Sequence, residues 1–88
     1  MLKIQHSADE AGVIFTLSGR IQWDNVAELQ RLFALEAAGR LLVLDLQEVK
    51  LVDRDAVQFL ARCEADGMTL AHCPAYIRRW IVRERDGK

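Results

Sequence analysis

The sequence predicts an α/β fold: one single-layer mixed β-sheet of about four strands with three α-helices, in the order β-β-α-β-α-β-α. Three observations carry this. Two short apolar runs near the start, Leu2–His6 and Val13–Leu17, are separated by the polar stretch Ser7–Gly12 and read as an antiparallel hairpin. A third run, Leu41–Leu46, is almost wholly apolar. Beyond the hairpin, extended runs alternate with stripes at helical spacing, which implies parallel pairing through right-handed crossovers.

Each element has a local reason. Leu2, Ile4 and their polar neighbours alternate with the period of a half-buried strand. Val13–Leu17 is rich in β-branched and aromatic residues, and Ser18-Gly19 is expected to end it. Arg20–Trp23 then forms a connector, with Ile21 and Trp23 pointing inward. Asp24-Asn25 opens the first helix; with Asn25 as N-cap, Glu28 occupies the third helical position, approximating a capping box. Val26, Leu29, Leu32 and Phe33 form its apolar stripe, and Gly39 is placed to stop it.

Leu41–Leu46 is expected to be covered on both faces, with Asp45 at the strand end or hydrogen-bonded to offset its burial. Gln47–Lys50 reads as a turn and Leu51-Val52 as a last extended pair. The second helix spans Asp55–Asp66, with Val57, Phe59, Leu60, Ala61 and Cys63 towards the core and Gly67 ending it. Met68–Ala71 is a short strand. Pro74 suits the first turn of a third helix, with Ile77, Trp80 and Ile81 inward and Gly87 beyond its end.

The 88 residues read as a single domain over residues 1–88, with 51% hydrophobic and 28% charged residues, ordinary globular composition. The net charge of -1 gives no overall attraction to nucleic acid or anionic membranes. The chain through Tyr76 carries seven basic and eleven acidic residues, and the remainder five basic and two acidic, so the third helix has a basic tail. No signal-peptide pattern follows Met1, and no apolar run approaches a bilayer span. Cys63 and Cys73 are then expected to be reduced thiols in a cytoplasmic protein.

Chemistry concentrates where the third apolar run meets the second helix. Asp53, Arg54 and Asp55 place two carboxylates and a guanidinium at a helix start, so they are either a site or a cap. Several pieces here resemble the STAS domains (sulphate transporter and anti-sigma factor antagonist). Ser18-Gly19-Arg20-Ile21 stands where that family has a glycine and hydrophobic pair after its second strand. Asn25–Leu29 is similar to its helix start. Leu44–Val49 followed by Leu51-Val52-Asp53 resembles its central strand and the aspartate after it, and Ala65–Leu70 its turn into the next strand.

The resemblance implies a non-enzymatic protein-binding domain without a cofactor. In the bacterial antagonists an aspartate is followed by serine, a phosphorylatable serine or threonine, and glycine; phosphorylation by a kinase-like anti-sigma partner switches binding off. Here Asp53 matches, while Arg54, Asp55 and Ala56 replace the other three. The only serines are Ser7 and Ser18 and the only threonines Thr16 and Thr69, so no hydroxyl acceptor lies between Asp53 and Asp66. Asp55 is then either a fixed negative charge imitating a phosphorylated residue, or a favourable residue at a helix start. Arg54 is expected to be exposed beside one of the two aspartates, free to pair with a partner's acid or simply solvated.

The expected role is a module in a bacterial partner-switching or signalling system, binding an anti-sigma factor or kinase-like protein, with a homodimer left open. The expected contact surface is Asp53, Arg54, Asp55, Ala56 and Gln58, with Glu48 and Lys50 nearby. The alternative role is a STAS-type accessory subunit of an ABC-type transporter. Rival chemistries have weaker signals. His6, Cys63, His72 and Cys73 lack metal-ligand spacing. No nucleophile elbow is present, although Asp45, Asp53 and Asp55 could form an acidic cluster at a strand end. Tyr76, Trp80 and the terminal arginines interleave as in nucleic-acid binders, but Trp80 falls on the apolar stripe, with Arg79, Arg83 and Glu84 on the wet face. Incubation with a Ser/Thr kinase, followed by phosphopeptide mass spectrometry, is expected to find no phosphate between Val52 and Arg62.

Overall fold

The computed structural model describes residues 2–8, 12–36 and 41–86. The elements are β1 (Leu2–Ala8), β2 (Gly12–Ile21), α1 (Trp23–Glu36), β3 (Leu41–Val52), α2 (Arg54–Ala65), β4 (Thr69–Ala71) and α3 (Ala75–Asp86). The expected element order therefore holds. The strands form one sheet in the order β1-β2-β3-β4, with β1 antiparallel to β2 and the other two pairings parallel. Gly39 and Gly87, expected as helix stops, lie outside the described residues. No helix among those described is long and apolar enough to cross a membrane.

The helices lie together on one face of this sheet, because α2 packs against both α1 and α3. That overturns the expectation of a β3 covered on both sides. Leu42, Leu44 and Leu46 are buried, whereas Leu41 is 68% exposed and Val43 and Asp45 are only half-covered. The same alternation runs through β2, where Val13, Phe15 and Leu17 are buried and Ile14 is exposed. An all-apolar strand usually signals two covered faces; here it is one core face and one largely open face.

The supposed turn at Gln47–Lys50 is continuous β3. Buried residues step by two through Leu42, Leu44 and Leu46, and then by three to Val49 and Val52. Those longer steps coincide with two register shifts against β2: Thr16 and Ser18 face Asp45 and Glu48, and Gly19 and Arg20 face Val49 and Leu51. Each shift inserts one extra residue in β3, which inverts the inward–outward alternation. The polar residues that read as a turn are thus the exposed residues around two bulges. β2 likewise continues past Ser18-Gly19, the glycine taking a positive φ of 96° beside the second shift. At the other end of β2, a Cβ on Gly12 would collide with the Leu41 carbonyl oxygen, so the two strands approach there only because Gly12 has none.

Aromatic rings cross the core in sequence. Phe15 of β2 meets Phe33 of α1 at 4.9 Å, and Phe33 stacks on Phe59 of α2 at 5.8 Å. Ile77 and Ile81 fix α3 through fully buried side chains, while Trp80 is half-buried, not core. α2 ends in a Schellman arrangement: the Met68 N–H donates to the Cys63 carbonyl at 3.0 Å and the Gly67 N–H to Glu64 at 3.1 Å, with Gly67 at φ 103°. Pro74 stands just before α3, its carbonyl accepting from Ile77 and Arg78.

Polar clasps join α2 to α3. Glu64 accepts from Arg78 at 2.8 Å and Arg85 at 3.4 Å. Glu84 accepts from Gln58 at 3.1 Å and the Trp80 indole at 3.3 Å, with Arg54 at 3.5 Å. Glu84 is therefore a junction between helices and not the wet residue expected. The Arg78 hydrogen bond, foremost, holds the Glu64 carboxyl below its ordinary value of 4.5. A carboxyl lowered by folding contributes stability above its unfolded value and loses it as pH falls through the folded one. Denaturant unfolding across an acid series is expected to show the stability gap between wild type and Glu64→Gln narrowing as pH drops below the usual glutamate range.

Candidate functional site

The junction of β3 and α2 sits at the end of the sheet where β2 also delivers the chain into α1. Asp53 is the N-cap of α2, with extended backbone at φ -102° and ψ 179°. One carboxylate oxygen accepts from the Ala56 N–H at 2.9 Å; the other accepts from the Trp23 N–H at 2.8 Å, in the first turn of α1. A single side chain therefore satisfies one otherwise unpaired amide on each of two helices. The Asp53 N–H also donates to the Ile21 carbonyl at 3.3 Å, closing the seam between the ends of β2 and β3.

This geometry corrects the start of α1. Asn25 is not the N-cap: the helix begins at Trp23, and the Asn25 side chain reaches back to the Gln22 N–H at 2.9 Å. That is the returning half of a capping box, with Asn25 at its third helical position. Glu28, expected there, is one turn further on. Since β2 runs to Ile21, only Gln22 separates strand from helix, and Trp23 is turned outward at 68% exposure instead of inward.

The residues expected at the contact surface now separate. Asp53 is half-buried with both oxygens engaged inside the fold, and the Ala56 side chain is fully buried. Arg54 is exposed, yet its partner is Glu84 and not Asp53 or Asp55. Gln58 is exposed and also engages Glu84. Glu48 and Lys50 are exposed on β3 around its bulges. Asp55 is exposed in the first turn of α2. Its carboxylate makes no hydrogen bond or ion pair among the described residues, because Asp53 is already the cap.

Asp55 stands on the rim of a cleft of about 250 Å³ between α1 and α2. Trp23, Val26 and Gln30 line it from α1, and Gln58, Phe59 and Arg62 from α2. An apolar floor beside a carboxylate and a guanidinium is suited to holding a peptide side chain while pairing its polar ends. Trp23 and Arg62 went unrecognised in the sequence. No local signal marked either: the outward turn of Trp23 follows from β2 running on to Ile21, and Arg62 is an ordinary exposed helix position.

The rival sites do not assemble. Asp45 lies in the middle of β3, since that strand continues past Leu46, and it accepts from the Gln47 N–H at 3.1 Å with His72 Nδ1 at 3.3 Å. It forms no cluster with Asp53 and Asp55, and no group of three or more potential metal ligands gathers among the described residues. Cys63 is buried, and burial pushes its thiol up to about 12. Arg78 and Arg85 of the basic tail are committed to Glu64.

No protein-family model and no curated protein matches the chain. Solved structures do. An antisigma-factor antagonist STAS domain from Rhodobacter sphaeroides superposes with a TM-score of 0.64 at 15% identity, covering 81% of this chain and 86% of that one. An uncharacterized protein with a SpoIIAA-like fold from Shewanella loihica PV-4 matches with a TM-score of 0.59 at 12% identity, covering 98% of this chain and 77% of that one. Mglu is similar at 26% identity and a TM-score of 0.60 over 81% of this chain, but only 19% of its own length is involved. The fold is the STAS, SpoIIAA-like α/β fold, and it matches an anti-sigma factor antagonist domain. Replacing Asp53 with Ala is expected to cost about 1–3 kcal/mol in urea denaturation, since amides on two helices lose their acceptor. Asp53→Asn, which keeps one acceptor oxygen, should fall between that variant and wild type.

Proposed function

We propose that this chain is a non-enzymatic protein-binding module of the anti-sigma factor antagonist type, acting in a bacterial partner-switching system. Its binding surface is the exposed first half of α2 with the adjoining α1–α2 cleft. The observation that carries this reading is the division of labour between the two aspartates. Asp53 caps both helices, which leaves Asp55 without a capping duty, exposed beside Trp23 and Arg62 on the cleft rim. An exposed Trp and Arg flanking a small apolar floor have the composition of an interface anchor. With no hydroxyl from Asp53 to Asp66, the module carries a fixed charge at the place of the family's phosphoacceptor.

The contact set is accordingly Arg54, Asp55 and Gln58, with Trp23, Val26 and Arg62 added and Glu48 and Lys50 at the margin. Asp53 and Ala56 act from within the fold. The partner is an anti-sigma factor or kinase-like protein, and Asp55 holds the module in a state resembling the phosphorylated one. Affinity for a kinase-like partner encoded in the same genome is measured by titration calorimetry. Trp23→Ala is expected to weaken binding by roughly tenfold or more, as for an interface anchor. Asp55→Ser is expected to strengthen it by removing the fixed charge. Unchanged affinity in Asp55→Ser would remove charge mimicry, and unchanged affinity in Trp23→Ala would remove the cleft from the interface.

A further inference from the structure

The two edges of the sheet are unlike. β4 is a short edge of three residues, followed by His72 in a left-handed turn at φ 53° and then by Pro74. Short strands, prolines and charged side chains, lysine above all, are devices that keep a sheet edge from pairing with another strand. β1 carries only the last of these, at Lys3. It is seven residues long, pairs with β2 through seven consecutive residues without a register shift, and contains neither proline nor glycine. Its single charge is Lys3.

β1 is also incompletely covered on its own helix-side face. Leu2 and Ile4 are half-buried against the core, while His6, stacked on Phe15 at 5.6 Å, and Ala8 are exposed. On the opposite face Lys3, Gln5 and Ser7 are all exposed. An extended strand laid against this edge would satisfy its outward backbone groups and cover the flanks of Leu2 and Ile4.

We infer that the occupant of this edge is a second copy of the chain, pairing β1 with β1 in antiparallel fashion about a two-fold axis at Gln5. The strand's sequence is complementary to itself in that register. Leu2 faces the partner's Ala8, Lys3 faces the partner's Ser7, Ile4 faces the partner's His6, and Gln5 faces the partner's Gln5. No like charges stand opposite one another, and the apolar Leu2 and Ile4 gain neighbours on the helix side. An axis perpendicular to the sheet keeps both helical layers on one side, making one continuous eight-stranded sheet. The α1–α2 cleft stays open in each copy, so dimer formation is independent of the partner binding proposed above. Edge pairing buries little area, so the dimer is weak and concentration-dependent.

Sedimentation equilibrium of the chain over a wide concentration range is expected to show reversible doubling of its 10.0 kDa mass. Two variant sets on the exposed open face of β1 test the register while leaving the core untouched. Gln5→Lys with Ser7→Lys places three like-charge contacts across the axis. Lys3→Glu with Gln5→Glu and Ser7→Glu does the same with negative charge. Each set alone is expected to weaken dimerisation by roughly tenfold at low ionic strength, with unchanged circular dichroism, and an equimolar mixture of the two is expected to restore it as a mixed dimer. A wild-type chain that stays at monomer mass at every concentration overturns the inference. So does a dimer indifferent to either charged set, or a mixture that fails to recover.

Discussion

The carboxylate of Asp53 is the interaction on which the rest of the structure depends. Two parallel strands, β2 and β3, each deliver a helix at the same end of the sheet, and each helix begins with amides that lack an intrahelical acceptor. One aspartate supplies both, with oxygens 2.8 and 2.9 Å from the amides of Trp23 and Ala56. This fixes the spacing of α1 and α2, and with it the width of the cleft between them. It also explains how two aspartates two residues apart come to differ so completely: the first is consumed by architecture, and the second is left facing solvent.

The element order and the core were legible because periodicity is a direct imprint of burial. Leu29 and Phe33, Val57 and Leu60, and Ile77 and Ile81 are buried as their spacing implied. What escaped was whatever depends on how one strand meets another. Gln47–Lys50 is polar enough to read as a turn, and only the pairing with β2 reveals two bulges there. An all-apolar Leu41–Leu46 looks the same whether one or both faces are covered, since sequence does not state which side of the sheet a crossover helix takes. Trp23 was misplaced for a related reason: the end of β2 at Ile21, and thus the phase of α1, is set by the long-range bond between Ile21 and Asp53.

The site followed the same division. Asp53, Arg54, Asp55 and, one turn on, Gln58 were singled out as candidates because charges at a strand–helix junction stand out locally. Their partners were not, because Glu84 lies 30 residues from Arg54 and 26 from Gln58, and meets them only when α3 packs on α2. The basic tail that resembles a nucleic-acid surface in sequence is in part internal wiring, with Arg78 and Arg85 spent on Glu64. Fold likeness at 12 to 15% identity agrees with this pattern. A shared architecture at such low identity rests on a hydrophobic code that tolerates exchange, whereas side-chain pairings across the junction depend on individual residues.

The pairing of Arg54 with Glu84 has one more consequence. A tethered acid 3.5 Å away acts as a resident competitor at high effective concentration. An isolated carboxylate from solution, bringing a single contact, gains little by displacing it. A ligand must bring several contacts at once, or present its acid in bidentate geometry, before Arg54 changes hands. At the interface proposed for α2, such a pair would favour extended, multivalent surfaces over small soluble acids, a form of selectivity that requires no pocket at all.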